Sequence, residues 1–259
     1  MENPLDFSGK VAIVTGGARG VGRGISERLL AAGAEVHICG RNTPDSLPSA
    51  GGREATFHAC DVREADQVED FMEAVTAAAG RIDLLVNNAG GAPAAEAASA
   101  SPRFSDAILR LNLLAPLLAA QAANRVMQGQ DSGGSIINIA SVSAVRPSPG
   151  TAAYGAAKAG VANLGTSLAV EWAPRVRVNT VICGLVRTEQ AHLHYGDEAG
   201  IARVAGTIPL GRMAEPGDIG DACLFLASDL ASYISGASLL VHGGGEKPAF
   251  LDAANASRD

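Results

Sequence analysis

Short apolar runs rich in β-branched residues alternate with longer stretches of helical periodicity along almost the whole chain. The expected strands cover residues 11–15, 35–39, 56–60, 82–87, 135–139, 176–182 and 238–241. Several of them are nearly continuous in apolar residues, which is typical of parallel strands buried on both faces. This alternation predicts an α/β fold, a doubly wound parallel sheet of about seven strands with helices on both faces.

No Pro- or Ser-rich linker and no change of composition divides the 259 residues, so one domain is expected. We assign residues 1–245 to that domain and the polar, Ala-rich residues 246–259 to a less ordered tail. The start of the chain has neither a positive segment nor an apolar core of an export signal. The most apolar stretch, 113–120, is too short to span a bilayer and is interrupted by Pro116.

Charge and composition exclude several classes of function. A net charge of −7 argues against binding nucleic acid or an anionic membrane, since both need a basic surface. Aromatic residues make up only 4%, so stacking platforms for bases are not expected. The four cysteines are widely spaced, which favours reduced, buried thiols in a cytoplasmic protein rather than disulfides. No spacing typical of metal ligands is present, so we expect no metal site.

The first expected strand runs directly into a glycine-rich turn, residues 15–22, and a helical pattern follows. Glycines at Gly16, Gly20 and Gly22 permit a tight turn and a close approach of the backbone to a pyrophosphate. The free N–H groups and the dipole at the start of a helix favour a bound phosphate. The order of strand, turn and helix therefore predicts a dinucleotide site, although the spacing is G-x-x-x-G-x-G.

The end of the second expected strand bears on the choice of nicotinamide cofactor. An NAD-selective site carries an acid about 20 residues past the glycines, bonded to the adenosine ribose 2′-hydroxyl. Here the sequence is Cys39-Gly40-Arg41-Asn42, without an acid. Arg41 could bind a 2′-phosphate in a fork, and Arg19 could add a second positive charge. We therefore predict a preference for NADP(H), with two solvated surface arginines as the alternative.

Tyr154 and Lys158 are expected one turn apart on one face of a helix over residues 151–171. A phenol is a poor base at neutral pH, but a nearby ammonium group favours the phenolate, so the pair can exchange a proton with a substrate oxygen.

Ser141, at the end of the fifth expected strand, could hydrogen-bond the same oxygen or cap a turn. Asn112 interrupts a Leu/Ala helix, and a buried amide needs a partner. It is therefore expected to hold a water or a backbone carbonyl, or to pack between helices.

Together these features resemble the short-chain dehydrogenase/reductase family over nearly the whole chain. The further matching motifs are Cys60-Asp61-Val62, Asn87-Asn88-Ala89-Gly90, Val176-Arg177-Val178-Asn179, Pro209-Leu210-Gly211-Arg212 with Glu215-Pro216, and the stretch from Phe225 to Gly244. The resemblance implies a Rossmann-type domain and an NAD(P)-dependent oxidoreductase acting on small-molecule carbonyls or alcohols. It also implies a homotetramer or a homodimer.

By that resemblance, Asn112, Ser141, Tyr154 and Lys158 form a catalytic tetrad. Ser141 orients the carbonyl and Tyr154 is the acid/base. Lys158 binds the nicotinamide ribose and lowers the pKa of Tyr154, while Asn112 holds a proton-relay water. With the arginines already noted, the implied cofactor-binding residues are Gly16, Arg19, Gly20, Val21, Gly22, Arg41, Asp61, Val62, Asn88, Ala89, Gly90, Tyr154, Lys158, Gly184, Val186 and Thr188.

Two positions depart from the family pattern. Cys183-Gly184 stands where Pro-Gly is usual, beside the expected nicotinamide, and could loosen the turn there. His242 replaces the aspartate of an Asp-Gly-Gly motif that normally lies at a subunit contact, so the departure bears on assembly more than on chemistry.

Two loops, 91–102 and 187–211, follow strand ends, where open α/β sheets bind ligands. One or both are expected to border the substrate pocket. In the second loop, His192, His194 and Tyr195 are pocket candidates, with ordinary loop residues as the alternative.

The predicted function is an NADP(H)-dependent oxidoreductase that transfers a hydride between the nicotinamide and a carbonyl or secondary alcohol. An acyl thioester, a steroid and a small ketone all remain open as substrates. The alternatives are an NAD-linked hydroxysteroid- or hydroxyacyl-type dehydrogenase and a non-catalytic dinucleotide-binding regulator. The intact glycine turn argues against a further alternative, a lyase of the same fold that no longer binds a cofactor.

Overall fold

A computed structural model describes residues 3–253; residues 254–259 of the expected tail lie outside the described part. The strands are β1 Val11–Thr15, β2 Glu35–Gly40, β3 Ser49–Ala50, β4 Arg53–Glu54, β5 Thr56–Ala59, β6 Leu84–Asn87, β7 Gly134–Ser141, β8 Val176–Cys183 and β9 Ser238–Val241. Seven of them form one sheet in the order β5-β2-β1-β6-β7-β8-β9. Every neighbouring pair in this sheet is parallel.

The helices connect these strands and cover both faces of the sheet. They are α1 Gly20–Ala31, α2 Ala65–Ala79, α3 Pro102–Leu109, α4 Ala115–Gln128, α5 Ala152–Glu171, α6 His192–Tyr195, α7 Glu198–Gly206, α8 Pro216–Ala227 and α9 Phe250–Ala253. Among the described residues, none of these helices combines the length and the apolar character that crossing a membrane requires.

The core consists of two large apolar clusters, one on each face of the sheet. Phe71 of α2 and Met127 of α4 belong to the first cluster. Leu29 of α1 and Ile219 of α8 belong to the second. Strand β1 contributes to both clusters because successive side chains point to opposite faces. The predicted doubly wound parallel fold is confirmed.

One element was not predicted from the sequence. Strands β3 and β4 form a small antiparallel hairpin between β2 and β5. Each strand has two residues, too few for any hydrophobic period to show. The Gly51-Gly52 pair between them, with φ of 59° and 73°, is the turn signal that the sequence did contain.

All four cysteines are buried and free, in agreement with the expectation of reduced thiols.

Candidate active site

A cleft of about 960 Å³ opens at the carboxyl ends of the strands. Residues that end or directly follow five neighbouring strands line it, among them Gly16, Gly40, Asn88, Ser141 and Gly184. The chain runs outward from β1 through β2 to β5 and then returns to β6 on the other side of β1. Such a switch point is where open α/β sheets bind ligands.

The fold brings almost every predicted site residue to this cleft. The lining includes Gly16, Arg19, Gly20, Val21, Gly22, Arg41, Asp61, Val62, Asn88, Ala89, Gly90, Ser141, Tyr154, Lys158, Gly184, Val186 and Thr188. Of the predicted catalytic and cofactor-binding residues, Asn112 alone is not in the lining. No three His, Cys, Asp or Glu side chains in the described ranges are grouped to hold a metal ion.

Close packing and backbone conformation both require glycine in the turn over residues 15–22. A Cβ at Gly22 would lie 2.3 Å from the carbonyl oxygen of Gly16 and 2.4 Å from Asn88 Nδ2. Gly16 has a φ of 64°, which favours glycine. Nδ2 of Asn88 donates to the carbonyls of Thr15 and Gly16 at 2.9 and 3.2 Å and fixes the turn against β6. A cradle of backbone groups without side chains fits the diphosphate of a dinucleotide.

Ser141, Tyr154 and Lys158 meet at the other end of the cleft. Ser141 is the last residue of β7, and the other two lie one turn apart on α5. Lys158 is buried, and its Nζ donates to the carbonyl oxygen of Ile139 at 2.8 Å. That Nζ lies 5.7 Å from the centroid of the Tyr154 ring. Gly90 leaves room for the Lys158 side chain, because a Cβ at position 90 would lie 3.1 Å from Nζ.

Burial shifts the pKa values of both titratable groups in this trio. It raises the pKa of Tyr154, an effect that hydrogen bonding with Ser141 only partly offsets. It lowers the pKa of Lys158 to about 8, since surroundings of low polarity disfavour the ammonium ion. The expected lowering of the Tyr154 pKa is therefore not found here, because lost solvation of the phenolate dominates. A phenol with a raised pKa stays protonated at neutral pH, which suits a proton donor.

Asn112 lies beneath the cleft rather than in its wall. It sits in a π-helical turn, Arg110–Leu114, between α3 and α4. Its Oδ1 accepts from the N–H of Gly91 at 2.8 Å, and its Nδ2 donates to the carbonyls of Gly91 at 2.9 Å and Ile108 at 3.0 Å. The amide thus holds backbone groups, one of the roles expected from the sequence, and positions the loop after β6. Binding of a relay water stays a prediction.

Arginines gather where β2 and β5 end. The guanidinium of Arg63 pairs with Asp61, with Nε at 2.9 Å from Oδ1, and lowers the pKa of that carboxyl group. Arg19 and Arg41 line the same end of the cleft. Neither of these two guanidinium groups has a hydrogen-bond or ion-pair partner among residues 3–253. The charge of Arg41 also helps to lower the pKa of Asp61, but no bond within the described residues holds either guanidinium group, so both can contact an anionic group.

The two departures from the family pattern, Cys183 and His242, lie close together. Cys183 is the last residue of β8 and lines the cleft, and burial raises the pKa of its thiol to about 12. The thiol therefore stays neutral at physiological pH. Gly184 packs against the segment after β9, because a Cβ there would lie 2.7 Å from the Cα of His242. Within Cys183-Gly184, it is therefore Gly184 that the packing against His242 requires.

The two expected substrate loops contribute differently. Loop 91–102 borders a second cavity of about 90 Å³ beside Tyr154, whose wall is rich in alanine and also contains Pro93 and Phe104. That the loop borders a substrate pocket stays a prediction.

In loop 187–211, which we term the substrate loop, the three pocket candidates line neither cavity. His192 and His194 are exposed, and Tyr195 packs in a small apolar cluster of the loop itself. Glu189 and Gln190 line the main cleft instead. Sequence reasoning missed them because no spacing rule ties a side chain of this loop to a turn near the start of the chain.

Comparisons with known proteins agree with this architecture. A family model described as enoyl-(acyl carrier protein) reductase matches residues 16–246. A D-threitol dehydrogenase of Mycolicibacterium smegmatis is 40% identical over 253 residues, which cover 94% of this chain and 96% of that relative. The ligand-free aldohexose dehydrogenase of Thermoplasma acidophilum superposes with a TM-score of 0.87 at 31% identity, covering 98% of this chain and 99% of that one. A short-chain type dehydrogenase/reductase of Mycobacterium marinum has a TM-score of 0.85 at 33% identity, over 94% and 98% of the two chains.

Fold, cleft and relatives together define an oxidoreductase that acts on alcohols or carbonyls. The chain belongs to the short-chain dehydrogenase/reductase family, as its motifs predicted.

Proposed function

We propose that this protein is an NADP(H)-dependent oxidoreductase that interconverts a carbonyl and a secondary alcohol, with Tyr154 as general acid/base. The observation that carries the proposal is the meeting of Ser141, Tyr154 and Lys158 with the glycine turn in a single cleft. A substrate in this cleft could therefore contact both the proton donor, Tyr154, and a dinucleotide held by the glycine turn.

The lining residues suit a nicotinamide dinucleotide along the whole cleft. The glycine turn would hold the diphosphate, Lys158 the nicotinamide ribose, and Val186 with Thr188 the carboxamide. Asp61 and Val62 would contact adenine, while Asn88, Ala89 and Gly90 would form a wall. When bound, the nicotinamide supplies or accepts a hydride at the substrate carbon. The volume of about 960 Å³ lies at the upper end of the range of ligand clefts.

The proton steps fall to this chain's own residues. In carbonyl reduction, Tyr154 donates its phenolic proton to the substrate oxygen while Ser141 hydrogen-bonds the same oxygen. The ammonium form of Lys158 stabilises the phenolate that remains. In alcohol oxidation the phenolate accepts the proton. Because the pKa of Tyr154 is raised, oxidation needs a higher pH than reduction.

The reaction itself is tested with a reduced cofactor that carries deuterium at both hydrogen positions of the nicotinamide C4, so that the transferred hydride is labelled whichever face reacts. Purified protein is incubated with this NADPH and a panel of carbonyl compounds, and the products are examined by mass spectrometry. We expect an alcohol with one deuterium on the former carbonyl carbon. Release of NADP⁺ without a deuterated alcohol would contradict the proposal.

The preference for NADP(H) rests on the free guanidinium groups of Arg19 and Arg41 and on the lack of an acid after β2. Calorimetric titration should show tighter binding of NADPH than of NADH. Replacing Arg41→Ala should narrow that gap by roughly tenfold, as the loss of one charge-assisted contact implies. Arg63→Ala is the matched control, because Arg63 is engaged with Asp61. Equal affinities for the two cofactors in the unmutated protein would overturn the preference.

Small polyols and their keto forms are the first substrates to screen, ahead of acyl thioesters and steroids. The relative that is 40% identical is named a D-threitol dehydrogenase, and a structural neighbour is an aldohexose dehydrogenase. The cavity beside Tyr154, about 90 Å³, leaves room there only for a small group. Faster turnover of a steroid than of any polyol would contradict this choice.

We further propose that the protein is a cytoplasmic homotetramer, or a homodimer, in which the long helices α4 and α5 pair between subunits. Sedimentation velocity measures the assembly, and a monomer at micromolar concentration would contradict it.

A further inference from the structure

The substrate loop reaches back across the cleft and bonds the glycine turn. Oε1 of Glu189 accepts a hydrogen bond from the backbone N–H of Gly20 at 3.1 Å. The neighbouring Thr188 lies over the same residue, because a Cβ at Gly20 would meet its methyl carbon at 3.5 Å. A loop near residue 190 and a turn near residue 20 are thus in direct contact at the floor of the cleft.

The N–H group that Glu189 binds is the first of helix α1. Gly20 begins this helix, and no acidic residue of α1 lies in its first turn. The N–H groups at the start of a helix lack partners within the helix, and the helix dipole adds attraction for an anion. Dinucleotide cofactors place their diphosphate at this position. A carboxylate from the chain itself therefore stands where a ligand phosphate would stand.

A carboxylate and a diphosphate cannot share one donor. A diphosphate carries at least two negative charges, and like charges a few ångströms apart repel strongly in a partly enclosed cleft. Cofactor entry must therefore release Glu189 from Gly20.

Release of Glu189 alters the loop around it. Its carbonyl oxygen is 3.0 Å from Nδ1 of His192, the first residue of α6. Arg187 on its other side pairs with Glu198 of α7 at 2.9 Å. These contacts link Glu189 and its neighbour Arg187 to both short helices of the substrate loop, so a displacement of Glu189 would also move the start of α6 and α7.

We propose that Glu189 acts as an internal substitute for the cofactor diphosphate, so that the substrate loop closes on the glycine turn until cofactor displaces it. The inference rests on the proposed function, since it assumes that a nicotinamide dinucleotide occupies the cleft. It makes Glu189 a residue that sets cofactor affinity and couples cofactor binding to the loop beside the substrate pocket. Cofactor binding then precedes substrate binding.

The test compares two variants that each remove one negative charge from the substrate loop. Glu189→Gln removes the competing charge at Gly20, and Glu198→Gln is the matched control, whose carboxylate pairs with Arg187 and lies away from the turn. Calorimetric titration at low salt should show NADPH binding three- to tenfold tighter in Glu189→Gln than in the unmutated protein. Glu198→Gln should stay within twofold, and the gain should shrink in high salt. Unchanged or weaker binding in Glu189→Gln would overturn the inference.

Hydrogen exchange of the ligand-free proteins supplies a readout that needs no bound cofactor. Glu189→Ala should speed amide exchange at Gly20 and in residues 188–195 relative to the unmutated protein. In the unmutated protein, inorganic diphosphate should slow exchange at Gly20 while speeding it in residues 188–195. If no variant binds a nicotinamide dinucleotide, the proposed function fails, and the exchange data alone decide whether Glu189 holds the loop. Equal exchange in Glu189→Ala and the unmutated protein would show that it does not.

Discussion

The glycine turn and the substrate loop border the same cleft, yet different forces hold them. In the turn, backbone groups pack closely together. Gly22 is required because a Cβ there would lie 2.3 Å from a carbonyl oxygen, and Gly16 is required by its φ of 64°. The substrate loop carries its own small apolar cluster, which includes Ala191, Ile201 and Ile208 and is separate from both large clusters of the sheet. In a site built from backbone groups, only certain residue types, such as glycine, fit at particular positions. A surface loop held by its own apolar contacts can keep its shape with many different sequences.

The largest difference between the two regions should come from adding one methyl group to a glycine in each. Gly22→Ala places a Cβ 2.3 Å from a carbonyl oxygen, so the turn must shift, and we expect NADPH affinity to fall at least ~100-fold. Overpacking should also lower the free energy of unfolding by about 1–3 kcal/mol. Gly206→Ala in α7 is the control, because nothing lies within 4 Å of its Cβ. Calorimetric titration and urea unfolding measure both effects. Similar NADPH affinities in the two variants would contradict the claim that the glycine turn tolerates a side chain less well than the substrate loop does.

A second pair of variants compares how each region is anchored. Ile25 of α1 is fully buried in the cluster behind the glycine turn, and Ile208 is equally apolar and 4% exposed in the loop cluster. Ile25→Ala should cost about 3–4 kcal/mol of global stability, the usual range for a cavity in a well-packed core.

Ile208→Ala should cost less than about 2 kcal/mol, because the substrate loop can open locally without unfolding the sheet. Urea unfolding reports the global loss, and hydrogen exchange in residues 188–210 should rise only in the Ile208 variant. Equal losses of global stability would mean that the loop unfolds together with the sheet.

The same contrast explains how much of the molecule could be predicted from its sequence. Strands β1 and β9 begin and end at the predicted residues. The residues of the glycine turn fell into the cleft as predicted, because glycine is required there by sterics. Glu189 could not be predicted, since its role depends on a contact across 169 residues between a loop and a turn. The raised pKa of Tyr154 was also missed, because burial is a property of the folded chain.

A smaller effect of pH should act on the sheet, through His58. His58 of β5 lies 3.0 Å from Nδ1 of His37, whose other ring nitrogen contacts Glu35, and burial followed by the charge of His37 lowers the pKa of His58. The unfolded chain therefore binds a proton at a higher pH than the folded chain does. Stability from this group is present above about pH 6.5 and is lost as the pH falls through the lowered pKa.

Urea unfolding between pH 7 and pH 5 measures this dependence. The ring is partly exposed, so His58→Gln should flatten the profile by less than about 1 kcal/mol. The glutamine amide can still hydrogen-bond His37. Identical slopes in the unmutated protein and the His58 variant would contradict the assignment.

The most direct test of the proposed chemistry is a comparison of two tyrosines, Tyr154 in the wall of the cleft and Tyr195 in the substrate loop outside it. Tyr154→Phe removes the proton donor, and Tyr195→Phe removes a hydroxyl from the substrate loop. With NADPH and the best substrate of the screen, Tyr154→Phe should lower kcat at least ~100-fold, the usual worth of a positioned acid. Its affinity for NADPH should stay within threefold, while Tyr195→Phe keeps most of its kcat. If Tyr154→Phe retains the kcat of the unmutated protein, Tyr154 is not the general acid and the proposed chemistry is wrong.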